Sequence, residues 1–216
     1  MSISFVIGNK EKLVVGTDSL VIKEYNNQRI YECIGKYKTF YLESYKLYFT
    51  CVGDLRLSDG RWWYELIEKI VVSNSYVRNK DLLDRISQRF VEMDFKGEVA
   101  VIDFSNRNVK VSSFSKGKNS FFIEEETFCK NKIYWMCWGM YKYAELFTSF
   151  FPLIDFNDTK YLKQYSKRCL TCCIEIDEYL SRFDGFLGYK GRAVAGPINL
   201  AIIENGEISF ETINIE

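Results

Sequence analysis

The sequence contains no histidine. That absence excludes Ser-His-Asp and Cys-His nucleophile systems, most zinc sites and every imidazole acid–base step. A hydrolase built on this chain has to find its base elsewhere. A surplus of one charge is missing too: 29 Lys plus Arg balance 29 Asp plus Glu, for a formal net charge of zero. Without a basic surplus or stripe, nucleic acid is not an expected partner. Proline is down to two residues, and no Pro- or Ser-rich linker interrupts the chain. No apolar run approaches the roughly 18 residues a membrane helix needs, so a membrane is not an expected partner either. Met1-Ser2-Ile3-Ser4-Phe5 lacks a basic stretch followed by a long apolar one, the mark of a secretory leader. The seven cysteines are odd in number and irregularly spaced, which suits a reducing compartment, the cytoplasm, better than a disulfide scaffold.

What is present is a large apolar and aromatic fraction, 47% and 17% of the residues, enough for a Tyr- and Phe-rich core without metals or cross-links. At 216 residues, one large domain over 1–216 is expected rather than two. Ile3 to Ile7 and Lys12 to Thr17 read as strands around the turn Gly8-Asn9-Lys10-Glu11. Tyr37 to Tyr41 and Lys46 to Val52 read as a second hairpin. Trp62, Trp63, Leu66, Ile67, Ile70 and Val71 then recur at helical spacing, stopping before Ser73. Leu82, Leu83, Ile86, Phe90 and Met93 mark a second helix, with Asn79 as its N-cap. Strands follow at Glu98 to Phe104, Asn108 to Phe114, Ser120 to Ile123 and Lys132 to Cys137, and Glu124-Glu125-Glu126 reads as a solvated loop. A helix over Tyr141 to Phe150 ends at Pro152, and a long one runs from about Thr159 to Phe183. Gly185, Gly188 and Gly191 mark an irregular segment before a closing hairpin, Ile198 to Ile203 and Glu207 to Ile213, around Asn205-Gly206. Strands grouped between helix pairs predict an α+β fold with antiparallel sheets covered by helices.

That succession is similar to the four-layer αββα sandwich of the proteasome β-subunit family of N-terminal-nucleophile hydrolases, two antiparallel sheets flanked by helix pairs. Ser2-Ile3-Ser4-Phe5-Val6-Ile7-Gly8 through Val14-Val15-Gly16-Thr17-Asp18-Ser19 resembles the family's opening hairpin, with the same interval from nucleophile to acid. Tyr37-Lys38-Thr39-Phe40 resembles the strand that carries the catalytic lysine, and the spacing from Lys38 to Gly53-Asp54 matches the family's as well. Ala195-Gly196-Pro197-Ile198-Asn199-Leu200 looks like the family's final Gly-Gly strand.

The resemblance implies a peptidase or amidohydrolase without metal or organic cofactor, acting on a peptide or amide substrate. Removal of Met1 would make Ser2 the nucleophile, with its own α-amine as base; such an amine titrates near 8 in model peptides. Lys38 would lower that pKa, Asp18 would orient Lys38, and a backbone N–H at Val52-Gly53 would face the oxyanion. Val21 and Thr50 fall where the family lines its substrate pocket. Assembly into rings or other homo-oligomers is implied too, with any regulatory partner unidentified. The chain departs from the pattern at several points. A serine of the family falls at Trp138, and its late aspartate and serine fall near Gly191 and Val194. Asp184 substitutes for that aspartate only with an insertion, and Val52-Gly53 replaces Gly-Gly.

Plainer alternatives stand beside each residue. Ser2 is also a residue that tolerates methionine removal, Asp18-Ser19 is ordinary turn chemistry, and Lys38 fits a solvent-facing strand position. Cys169, Cys172 and Cys173 read as small hydrophobes on a packed helix rather than metal ligands. Trp62-Trp63 and Trp135-x-x-Trp138 read as core or subunit-contact aromatics rather than base-stacking platforms. The alternative function is a noncatalytic proteasome-like scaffold or binding subunit.

Overall fold

A computed structural model describes residues 2–25, 28–33, 37–73, 78–106, 109–116, 121–127, 134–152, 158–182 and 194–215. Its first strands are β1 (Ile3–Gly8), β2 (Lys12–Thr17), β3 (Leu20–Tyr25), β4 (Gln28–Cys33), β5 (Thr39–Leu42) and β6 (Leu47–Val52). Helices α1 (Trp63–Ser73) and α2 (Asn79–Glu92) follow, then β7 (Glu98–Asp103), β8 (Lys110–Lys116), β9 (Phe121–Thr127) and β10 (Tyr134–Gly139). Helices α3 (Tyr141–Phe150) and α4 (Thr159–Leu180) precede the closing β11 (Ile198–Glu204) and β12 (Glu207–Ile213). The chain is a mixed α+β protein, and all strand pairs are antiparallel. It divides into two compact units, Met1–Lys36 with Phe128–Glu216, and Tyr37–Thr127.

The first unit holds a five-stranded sheet in the order β10-β1-β2-β11-β12 and the separate hairpin β3-β4. Asn9 closes the β1–β2 turn, its Oδ1 accepting from the Glu11 and Lys12 amides at 2.9 and 3.1 Å. Gly8 is required there: its φ is +136°, and an added Cβ would stand 2.0 Å from the Lys12 carbonyl oxygen. Alternation sends Ile3, Phe5 and Ile7 to the face where Leu162, Cys169, Leu170 and Cys173 of α4 complete a core with Tyr143 and Phe147 of α3. Asp158 caps α4, accepting from the Lys160 amide at 2.9 Å.

The second unit holds the sheet β5-β6-β7-β8-β9 with α1 and α2. Trp63 is fully buried and lies against Phe49 of β6, with ring centroids 6.4 Å apart. Its indole N–H donates to the Tyr37 carbonyl at 2.7 Å. Trp62 stacks on Tyr37 at 4.0 Å on one face and receives the Arg56 guanidinium at 4.2 Å on the other. Both faces are occupied, so Trp62 acts as packing and not as a platform for bases.

The expected elements are present with shifted ends, and four expectations need correction. The hairpin β3-β4 is an addition to the expected strands, since the charged and polar residues of Leu20–Tyr25 and Gln28–Cys33 blur any apolar alternation. Asn79 is the first helical residue of α2 and not its cap; its side-chain amide donates instead to the Tyr45 carbonyl and Ser105 Oγ. Glu124-Glu125-Glu126 belongs to β9, at the end of the described sheet order, and not to a loop. The long helix stops at Leu180. Asp184 and the glycines Gly185, Gly188 and Gly191 lie outside the described residues. Among the described residues no helix is long and apolar enough to cross a membrane.

Gly16 sets how closely α4 approaches β2. A Cβ at this position would meet the Phe5 ring at 2.8 Å and Leu170 Cδ1 at 3.0 Å, two side chains already buried. Gly16→Ala is expected to cost about 1–3 kcal/mol through overpacking, read from the urea midpoint at unchanged m-value. A loss below about 0.5 kcal/mol would show that α4 is free to shift.

Candidate functional site

Antiparallel pairing of β1 with β2 sets Ser4 opposite Thr17, which carries the start of one strand to the end of the other. The interval from Ser2 to Asp18 is therefore a hairpin register, and it places the two residues at the same end of the sheet. Ser2 is held on its other side by β10, its carbonyl accepting from the Met140 amide at 2.9 Å. It is 2% exposed.

Asp18 is fully buried and its carboxylate is the centre of the region. Oδ1 accepts from the Ile3 amide at 2.9 Å, and Oδ2 accepts from Leu20 at 3.0 Å and Ala195 at 3.4 Å. Turn chemistry accounts for the Leu20 bond alone, since Ile3 and Ala195 come from β1 and from the segment before β11. Three N–H donors are what a desolvated carboxylate needs, and hydrogen bonds to a charged group contribute about 1.5–3 kcal/mol each. Beside it, the Ser19 amide donates to the Ala195 carbonyl at 2.9 Å, and Ser19 Oγ donates to the Pro197 carbonyl at 2.6 Å. Asn199 Nδ2 donates to Ser19 Oγ at 2.6 Å, completing the link to β11. Val21 is buried in β3, opposite Glu32.

Lys38, Thr50, Val52 and Gly53 belong to the second unit. Lys38 precedes β5 in a turn, and it is fully buried, which overturns the solvent-facing alternative. Its carbonyl accepts from the Cys51 amide at 2.8 Å. Burial pushes the Cys51 thiol well above its ordinary range, and the Lys38 charge pulls only partly against that. Cys51 is thus kept neutral and is no substitute nucleophile. Thr50 and Val52 are buried in β6. Gly53 leaves the strand at φ +82°, a conformation that side-chain-bearing residues adopt only under strain.

Trp138, where the family has a serine, is 6% exposed and paired with Ser4 across β10 and β1. Cys169 and Cys173 are core residues of α4, and Cys172 packs half-buried against that core. A hydrogen bond with Cys169, with burial behind it, raises the Cys173 thiol pKa, as fits core use.

Asp177 was missed in the sequence. It is 3% exposed on α4, with Oδ1 accepting from the Tyr143 hydroxyl at 3.2 Å and Oδ2 from the Val194 amide at 2.9 Å. A signal existed: Leu162, Ser166, Cys169, Cys173 and Asp177 follow the helical period, so an acid sits on the apolar stripe.

Asp18→Asn leaves one acceptor oxygen and adds two N–H groups among three backbone donors. We expect a loss of at least about 1–3 kcal/mol, the cost of one orphaned buried donor, measured by urea unfolding. Wild-type stability in that variant would show that the carboxylate is not what ties these strands together. No protein-family model and no curated protein matches the chain.

Proposed function

We propose that the chain is an amidohydrolase of the proteasome β type, with Ser2 as nucleophile once Met1 is removed. The observation that carries the reading is the buried Asp18 carboxylate, bonded to the amide that follows Ser2. In a chain without histidine, the α-amine of Ser2 is the available base. Ser2 Oγ attacks the carbonyl carbon of a peptide or amide while its proton passes to the amine. The tetrahedral oxyanion collapses, the C–N bond breaks, and the leaving amine takes the proton. Water then hydrolyses the Ser2 ester by the same route. No cofactor enters. On the sequence resemblance alone, Lys38 lowers the amine pKa and a backbone N–H at Val52-Gly53 binds the oxyanion. Val21 and Thr50 then line the substrate pocket. The αββα sandwich, a cytoplasmic homo-oligomer and membership of the N-terminal-nucleophile superfamily belong to the same proposal. Two antiparallel five-stranded sheets, each with a helix pair in its own unit, support the sandwich.

A specific observation favours a second reading. Ser2 is 2% exposed, and the serine position of the family holds the buried Trp138. Both fit a noncatalytic scaffold or binding subunit in which Asp18 only ties strands together.

Intact mass and labelling by a β-lactone separate the two. The lactone acylates the nucleophile: the Oγ–acyl bond forms, the ring C–O bond breaks, and the hydroxyl proton ends on the released alkoxide. The hydrolase reading expects loss of Met1 and one adduct on Ser2, absent in Ser2→Ala. Because the free amine is the base, the rate rises with pH to a plateau above its pKa, about 7.7–8.0 when unperturbed and lower beside a cation. Lys38→Met is expected to move that midpoint upward. Retained Met1 with no adduct leaves the scaffold.

A further inference from the structure

The two buried carboxylates of the first unit, Asp18 and Asp177, are connected through a single dipeptide. The Val194 amide donates to Asp177 Oδ2 at 2.9 Å, and the next amide, Ala195, donates to Asp18 Oδ2 at 3.4 Å. Val194 is fully buried and Ala195 is 5% exposed, so water does not substitute readily for either bond. Asp177 is itself held from α3 by the Tyr143 hydroxyl at 3.2 Å. A run of hydrogen bonds thus leads from Tyr143 through Asp177, Val194-Ala195 and Asp18 to Ile3, the residue after Ser2.

We infer that Asp177 is a positioning residue for Ser2, acting from α4 through the Val194-Ala195 peptide and the Asp18 carboxylate. The physical reason lies in the rigidity of what it connects. Helix α4 is packed on the sheet core through Leu162, Cys169, Leu170 and Cys173, so its buried acid is a fixed point. The segment before β11 has the Val194 amide tied to that point. With it fixed, Ala195 presents its N–H to Asp18 and its carbonyl to the Ser19 amide at 2.9 Å. Release of Val194 frees both contacts and lets the Asp18 carboxylate turn away from Ile3. Displacements on the scale of an ångström at a reacting group are costly to rate, so the effect reaches Ser2 without Asp177 touching it.

The catalytic meaning of this inference rests on the hydrolase reading above, and two readouts keep them apart. One is β-lactone labelling of Ser2 as a function of lactone concentration. The other is amide hydrogen exchange at Ile3, Leu20 and Ala195, which needs no chemistry at Ser2. In Asp177→Ala, measured well below its melting temperature, the maximal labelling rate is expected to fall about tenfold with half-saturation unchanged. The three amides are expected to lose protection along with Val194. Asp177→Asn keeps an acceptor for the Val194 N–H and is expected to restore both readouts most of the way. A folded Asp177→Ala protein that loses protection only at Val194 and labels at the wild-type rate would overturn the inference, leaving Asp177 as a cap on one loop. If the wild-type protein is not labelled at all, the hydrolase reading fails, and exchange at Ile3, Leu20 and Ala195 still decides the positioning role. Should Asp177→Ala not fold, Tyr143→Phe, which deletes one hydroxyl from the same chain, decides by the same readouts. Partial loss of protection at Ile3, Leu20 and Ala195 supports the inference there, and wild-type protection at all three overturns it.

Discussion

One buried carboxylate organises the first unit of this protein. Asp18 receives N–H groups from the start of β1, from the residue opening β3 and from the segment entering β11. Burying a carboxylate is costly, and only a full set of donors offsets that cost. Satisfying Asp18 therefore demands that two remote stretches, the start of β1 and the segment entering β11, arrive at the turn into β3. Each of them would otherwise present an unpaired amide to a dry interior. The β1–β2 register, the turn into β3 and the approach of β11 all depend on the same two oxygens.

Asp177 repeats the device one layer out. It sits on the buried stripe of α4 and takes a hydroxyl from α3 and an amide from the segment that also feeds Asp18. Packing holds α4 on the sheet, and the two directional partners of Asp177 carry that fixed position to α3 and to the Val194 amide. Gly16 complements it, since the absence of a side chain there lets Leu170 and the Phe5 ring close the gap between helix and strand.

The chemistry open to the chain is narrow. With histidine absent and the Cys51 thiol held neutral by burial, neither an imidazole nor that thiol serves nucleophilic work. Ser2 is the hydroxyl whose own residue would also supply an amine, which is why the proposed reaction centres on it. The same surroundings that would orient Ser2 also bury it, and the balance between catalysis and scaffolding turns on that burial.

Much of the architecture was legible in the residues. Alternation in Ile3 to Ile7, helical spacing around Trp63 and Leu83, and Asn205-Gly206 between apolar runs are local signals, and each survives because local propensity and burial agree there. The interval from Ser2 to Asp18 was equally readable, since a hairpin converts sequence distance into contact. The hairpin β3-β4 was not, because its turn residues gave no strong signal beside its polar strands. Nor was the burial of Lys38, because a lysine between Tyr37 and Thr39 reads the same whether its ammonium meets solvent or protein. Asp177 showed only as an acid on an apolar stripe, and its partners Tyr143 and Val194 lie 34 and 17 residues away. The sequence by itself determined the order of the elements other than the β3-β4 hairpin, the α+β class and the exclusion of imidazole chemistry, because these follow from local pattern and composition. Only the tertiary structure decided which buried charges acquire donors, because those donors are backbone amides, whose direction no residue identity encodes, and a hydroxyl from a helix 34 residues away.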